Sequence, residues 1–158
     1  MFVLLSPAKK QSCEGIDAQC PQSLPFFPDQ THKLLVILRA CSVPELMKLL
    51  RVSESLAKLN CDRFQQLDAF DGRQGRQACL GYLGDTYRGL MANPWSHDAA
   101  DWAQQHLGII SAFYGLLRPY DVIASYRLEM GTSMKPYGID LYDFWGDVLT
   151  QAVCDRAR

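Results

Sequence analysis

The first apolar run, Phe2-Val3-Leu4-Leu5, stops at Ser6-Pro7. It is too short for a helix, so the pattern predicts a brief buried strand. From Gln11 to Asp29 prolines recur and apolar positions lose any period, which predicts a loop over the surface. Helical spacing then takes over. Leu34, Leu35 and Leu38 share one side of a predicted helix over 30–39. Ser42 with Glu45 three residues on, and Pro44 in the first turn, predicts a capped helix through Leu50. Ser53 caps a third helix, with Leu56, Leu59 and Phe64 at helical spacing.

The second half is less regular. Ala78 to Leu83 is short and apolar, fitting a strand or a helix end. The glycine-flanked polar element Gly84-Asp85-Thr86-Tyr87-Arg88-Gly89 follows, and Asn93-Pro94 breaks the chain. Ser96 caps a helix through His106, with Asp98 and Asp101 favourably near its N-terminus. Gly108 interrupts before Phe113 to Pro119, which has the pattern of a hairpin between two helices. Such a turn presents backbone N–H groups to phosphate. Tyr126 to Gly131 alternates polar and apolar residues, predicting a strand with one wet face on which Arg127 and Glu129 pair. From Asp140 on, Leu141, Phe144, Trp145, Val148 and Leu149 recur at helical spacing.

Composition narrows this picture without redirecting it. The chain has 158 residues, 48% hydrophobic and 21% charged, which suits one globular domain over 1–158 rather than disorder. A net charge of −1 argues against a tail-driven nucleic-acid binder but leaves room for a local basic patch. No apolar run approaches the roughly 20 residues of a membrane span, and the start lacks the order of a secretory signal. A cytoplasmic protein is expected. The six cysteines contain no C-x-x-C pair and are expected to be reduced, with Cys13 and Cys20 the most reactive because they lie in the long loop. The three histidines show no ligand spacing with them, so neither a metal nor a cofactor is expected.

Several residues carry possible chemistry. Lys9 follows directly after a strand, where a lysine faces either a ligand crevice or solvent. Asp85 and Tyr87 bring a carboxylate and a phenol together, or else form a structural turn with Asp85 as a cap. No nucleophile, base and orienting group form a recognisable set, and catalytic residues stay unassigned. Three functions are open at this point: a nucleic-acid binding module, an enzyme acting on a nucleotide or nucleic-acid phosphate, and an iron or redox sensor. For the enzyme, Lys9, Asp85, Tyr87, Arg127 and Glu129 would gather in one cleft.

Taken in order, six motifs resemble one family over nearly the whole chain. They are Ser6-Pro7-Ala8-Lys9; Leu56-Ala57 with Asn60 and Arg63-Phe64; Gly84-Asp85-x-Tyr87-x-Gly89-Leu90; Tyr114-Gly115-x-Leu117-Arg118-Pro119-x-Asp121; Tyr126-Arg127-Leu128-Glu129-Met130-Gly131; and Leu141-Tyr142-x-Phe144-Trp145-Gly146. The chain is similar to the YaaA peroxide-stress protein family. The resemblance implies a bacterial cytoplasmic protein that protects against hydrogen peroxide by limiting free iron. It also implies an α+β fold peculiar to the family, a mixed sheet with surrounding helices. That fold has a positively charged cleft and a helix-hairpin-helix element that binds double-stranded DNA. On this view Lys9, Tyr114, Gly115, Arg118 and Arg127 contact the DNA backbone without strong sequence preference, and Asp85, Tyr87 and Glu129 line the cleft. No enzymatic activity is implied. Two departures stand out. Leu83 replaces a lysine common before Gly-Asp, and Leu117 replaces the second glycine typical of such hairpins. Family members also continue beyond Arg158, so an incomplete C-terminal part and uncovered apolar surface are expected, with marginal stability or oligomerisation in consequence.

Overall fold

A computed structural model describes residues 1–67, 74–93 and 95–158. Pro94, half of the predicted break, lies outside them. The architecture is mixed α and β. Strand β1 (Val3–Leu5) pairs in parallel with β3 (Leu107–Ser111), placing Val3 beside Leu107 and Leu5 beside Ile109. Strand β4 (Gly115–Leu117) runs antiparallel on the other side of β3, giving a three-stranded sheet in the order β1-β3-β4. A two-stranded ladder joins β2 (Arg76–Gln77) to β5 (Val122–Ile123).

The predicted helices form where their caps lie. Helix α1 spans Pro28–Ala40, α2 Val43–Leu50 and α3 Glu54–Gln66. At the start of α2 the Glu45 carboxylate accepts the Ser42 N–H at 2.7 Å and its hydroxyl at 2.6 Å, closing the capping box. Ser53 accepts the Leu56 N–H at 3.4 Å. The buried stripe of α3 is Ala57, Asn60 and Phe64; the expected Leu56 and Leu59 are exposed instead. The short apolar stretch becomes α4 (Ala78–Gly81), and α5 (Asp85–Leu90) starts after Gly84. Helix α6 (His97–His106) is capped by Ser96, and α7 (Leu141–Ala157) is kinked at Gly146, whose φ is +41°.

Leu34 and Leu38 of α1, Leu46 of α2 and Phe64 of α3 form one buried cluster with Ile109, Phe113, Leu117 and Trp145. Burying side chains of this size supplies about 1.5–3 kcal/mol each. Strand β1 is less buried than predicted, because Leu4 points outward at 46% exposure.

Two expectations fail here for physical reasons. Residues 113–119 are not a hairpin between helices; residues 112–114 turn β3 into β4, and the rest carry β4 and the exit from it. Ser111 Oγ accepts the N–H groups of Phe113 and Tyr114 at 3.2 and 3.0 Å, and Gly115 takes a φ of +79°. A Cβ on Gly115 would stand 2.8 Å from rings of both Phe27 and Trp145, so the glycine admits a core aromatic there rather than a phosphate. The stretch 126–131 keeps its alternation, with Tyr126 and Leu128 buried and Glu129 exposed, but it joins no strand ladder. Among the described residues no helix is long and apolar enough to cross a membrane.

Candidate functional site

The loop after β1 is fixed on several sides. The Tyr87 hydroxyl donates to the Ser6 carbonyl at 2.7 Å, and the Gln11 side-chain amide donates to the Ala8 carbonyl at 3.2 Å. The Leu83 N–H donates to the Lys10 carbonyl at 2.9 Å. These bonds set the backbone on both sides of Lys9 while its side chain stays in solvent, so the cation is carried on an ordered loop. The Gln11 side-chain oxygen Oε1 also accepts the Tyr126 N–H at 3.0 Å, tying this loop to the 126–131 segment.

Tyr126 is held from its other end. Its hydroxyl lies 2.7 Å from Ser111 Oγ and 2.7 Å from the Tyr82 hydroxyl, all three groups being buried. Burial pushes the Tyr126 phenol up to about 12 and Tyr82 well above the usual tyrosine range, so both stay protonated near neutrality. With Tyr126 fixed inward, the alternation turns Arg127 and Glu129 the other way. Sequence reasoning singled out neither Ser111 nor Gln11 for positioning; Ser111 carried a signal, as a lone polar side chain within an apolar run, and Gln11, among polar neighbours, carried none.

Lys9, Arg127 and Glu129 line one cavity of about 440 Å³ between the β1 loop and the 126–130 segment, with Ile110 and Ala112 from the β3 side. The expected Arg127–Glu129 pair does not form. Glu129 instead bonds Lys9 across the mouth, 3.0 Å between Nζ and Oε1. Among the described residues, Nε of Arg127 is buried and has no hydrogen-bond partner. A buried guanidinium N–H without an acceptor is costly, and an incoming oxyanion supplies one.

The remaining candidates lie elsewhere. Asp85 is exposed and bonds Arg88, so it shares no site with Tyr87, which is buried behind Ser6. Tyr114 is buried and its hydroxyl bridges the Ala124 N–H and C=O at 3.0 and 3.2 Å. Gly115 lies under Trp145. Arg118 is occupied: Nε and an NH2 group bond the buried Asp121 at 3.0 and 2.8 Å, a further bond reaches the Leu24 carbonyl, and Phe26 stacks 4.2 Å from the guanidinium. These three residues hold the core and the turn after it.

Of the two loop thiols, Cys13 is buried and Cys20 only partly exposed. Desolvation raises the pKa of both, and Cys79 is pushed up to about 12. Thiols of this kind are poor nucleophiles near neutrality. Among the described residues no three His, Cys, Asp or Glu side chains group as a metal-binding set.

Comparison with known proteins gives a family. The one described as Peroxide stress protein YaaA matches residues 1–158. The chain is 43% identical to a UPF0246 protein of Ruegeria pomeroyi, covering 99% of this chain and 61% of that protein. It is 41% identical to UPF0246 proteins of Phenylobacterium zucineum and Delftia acidovorans, covering 100% and 99% of this chain and 59% and 61% of theirs. The chain thus spans about three fifths of the length of the curated relatives it matches. By sequence, and with its motifs in the family's order, the chain belongs to the YaaA peroxide stress protein family.

Proposed function

We propose that the protein acts in the cytoplasmic response to hydrogen peroxide by binding the phosphate backbone of double-stranded DNA at the Lys9–Arg127 cleft. In the cell this serves to limit free iron and the oxidative damage it causes. The observation that carries the reading is the buried, unpartnered Nε of Arg127 in the same cleft as the exposed Lys9. Both cations sit on segments fixed by hydrogen bonds, so little ordering entropy opposes phosphate binding. The link to peroxide comes from the family's description.

Cations that meet phosphate oxygens fix position without reading bases, so binding is expected to be tolerant of sequence and steep in salt. The test is fluorescence anisotropy of a labelled duplex at several salt concentrations. Lys9→Ala and Arg127→Ala should each weaken binding across all sequences and reduce the salt slope by about 1. A flat salt response, or two variants that bind like the parent, would overturn the proposal.

A further inference from the structure

The cavity behind the two cations is larger and more apolar than a phosphate requires. Its charged groups stand at the mouth: the Lys9 and Glu129 side chains are 65% and 47% exposed. Ala112 and Leu128, by contrast, are buried lining residues, and Leu4, Ile110 and Met130 add further apolar wall. A volume of about 440 Å³ falls in the range of sites that enclose a small organic molecule. A site with cations at the rim and hydrocarbon within matches a ligand with an anionic end and an apolar, flat body.

We propose that this cavity takes a single nucleotide unit, its phosphate between Lys9 and Arg127 and its base against the apolar wall of Leu4, Ile110 and Met130. The proposal rests on the cleft being the phosphate site and names what lies beyond the phosphate. The base is held by contact rather than read. Each end of the Gln11 amide already makes one bond within the protein, which fixes its orientation and leaves a single N–H on it for a base edge. Weak discrimination among bases follows, with purines favoured over pyrimidines by their larger buried area. The same unit can come from a free mononucleotide or from a nucleotide turned out of a duplex.

Equilibrium dialysis with deoxyadenosine monophosphate and with inorganic phosphate, on the full chain, separates the two layers of the argument. The nucleotide should bind at least tenfold more tightly than phosphate. Leu4→Ser and Met130→Ser should each weaken nucleotide binding severalfold while leaving phosphate binding unchanged. Leu4 already stands half in solvent, so its replacement should leave the thermal melt unaltered. Equal affinity for nucleotide and phosphate would overturn the nucleotide pocket yet leave the backbone proposal standing. Phosphate binding and duplex affinity both unchanged in Lys9→Ala and Arg127→Ala would overturn both. A duplex with one unpaired adenine distinguishes the sources. Tighter binding than to the matched duplex, relieved by the mononucleotide, supports a nucleotide drawn from DNA. Equal binding of the two duplexes, beside tight mononucleotide binding, supports a free nucleotide.

Discussion

Glu129 reaches across the mouth of the cleft to Lys9, with 3.0 Å between its Oε1 and the lysine Nζ. Both side chains remain largely in water, so the pair contributes little to stability and opens easily. Its consequence is competition: the carboxylate holds the cation that a phosphate would use, and its negative charge repels that phosphate. Glu129→Gln should therefore tighten duplex binding by roughly two- to fivefold at low salt, an amount consistent with an exposed pair. Anisotropy at two salt concentrations measures it, and the gain should shrink at the higher one. Weaker binding in this variant would mean that Glu129 supports the ligand rather than excluding it.

The turn at Gly115 makes a prediction about stability. Its φ of +79° and the Phe27 and Trp145 rings 2.8 Å from a would-be Cβ leave no room for a methyl group. Gly115→Ala should cost about 2–3 kcal/mol, combining backbone strain with overpacking. Chemical denaturation followed by tryptophan fluorescence reads the loss directly. A variant as stable as the parent would show that the turn relaxes freely, and the close packing described above would be wrong.

Helix α2 supplies a pH dependence. The Ser42 N–H and hydroxyl hold the Glu45 carboxyl below its ordinary value of 4.5. A group whose folded pKa is depressed stabilises the fold above its unfolded pKa, and the contribution is lost as pH falls through the folded value. The difference in melting temperature between the parent and Glu45→Gln should hence hold from neutrality down to about the ordinary glutamate value and shrink below it, as pH falls through the depressed folded value. A difference that stays constant well below that value would show that the capping box does not act through the carboxylate.

How much of this was legible in the sequence varied with the kind of signal. The caps at Ser42, Ser53 and Ser96 are local chemistry, and each helix begins where its cap predicts. Lys9 after a strand, and the shared orientation of Arg127 and Glu129, were likewise readable, because alternation survives without a strand partner. What failed depended on distant contacts. Phe113 to Pro119 has the composition of a loop between helices, but Ser111 and the antiparallel pairing of β3 with β4 make it a turn between strands. Arg118 looked like a free cation until Asp121, Leu24 and Phe26 closed around it. Leu56 and Leu59 followed helical spacing, yet the face turned inward is that of Ala57, Asn60 and Phe64, chosen by what α1 and α2 present. Periodicity locates a face without saying which partner will cover it.

The contrast between Arg127 and Arg118 tests the central claim most directly. Duplex affinity of Arg127→Ala and Arg118→Ala should be measured side by side at low salt, with the folded fraction of each determined by circular dichroism. If the cleft binds the backbone, Arg127→Ala keeps the parent's melting temperature and loses about tenfold or more in affinity. Arg118→Ala should do the reverse, losing stability because Asp121 is left buried without its partner, while its folded fraction binds DNA like the parent. Normal binding by Arg127→Ala together with lost binding by folded Arg118→Ala would contradict the account and return the DNA contact to the turn at Gly115.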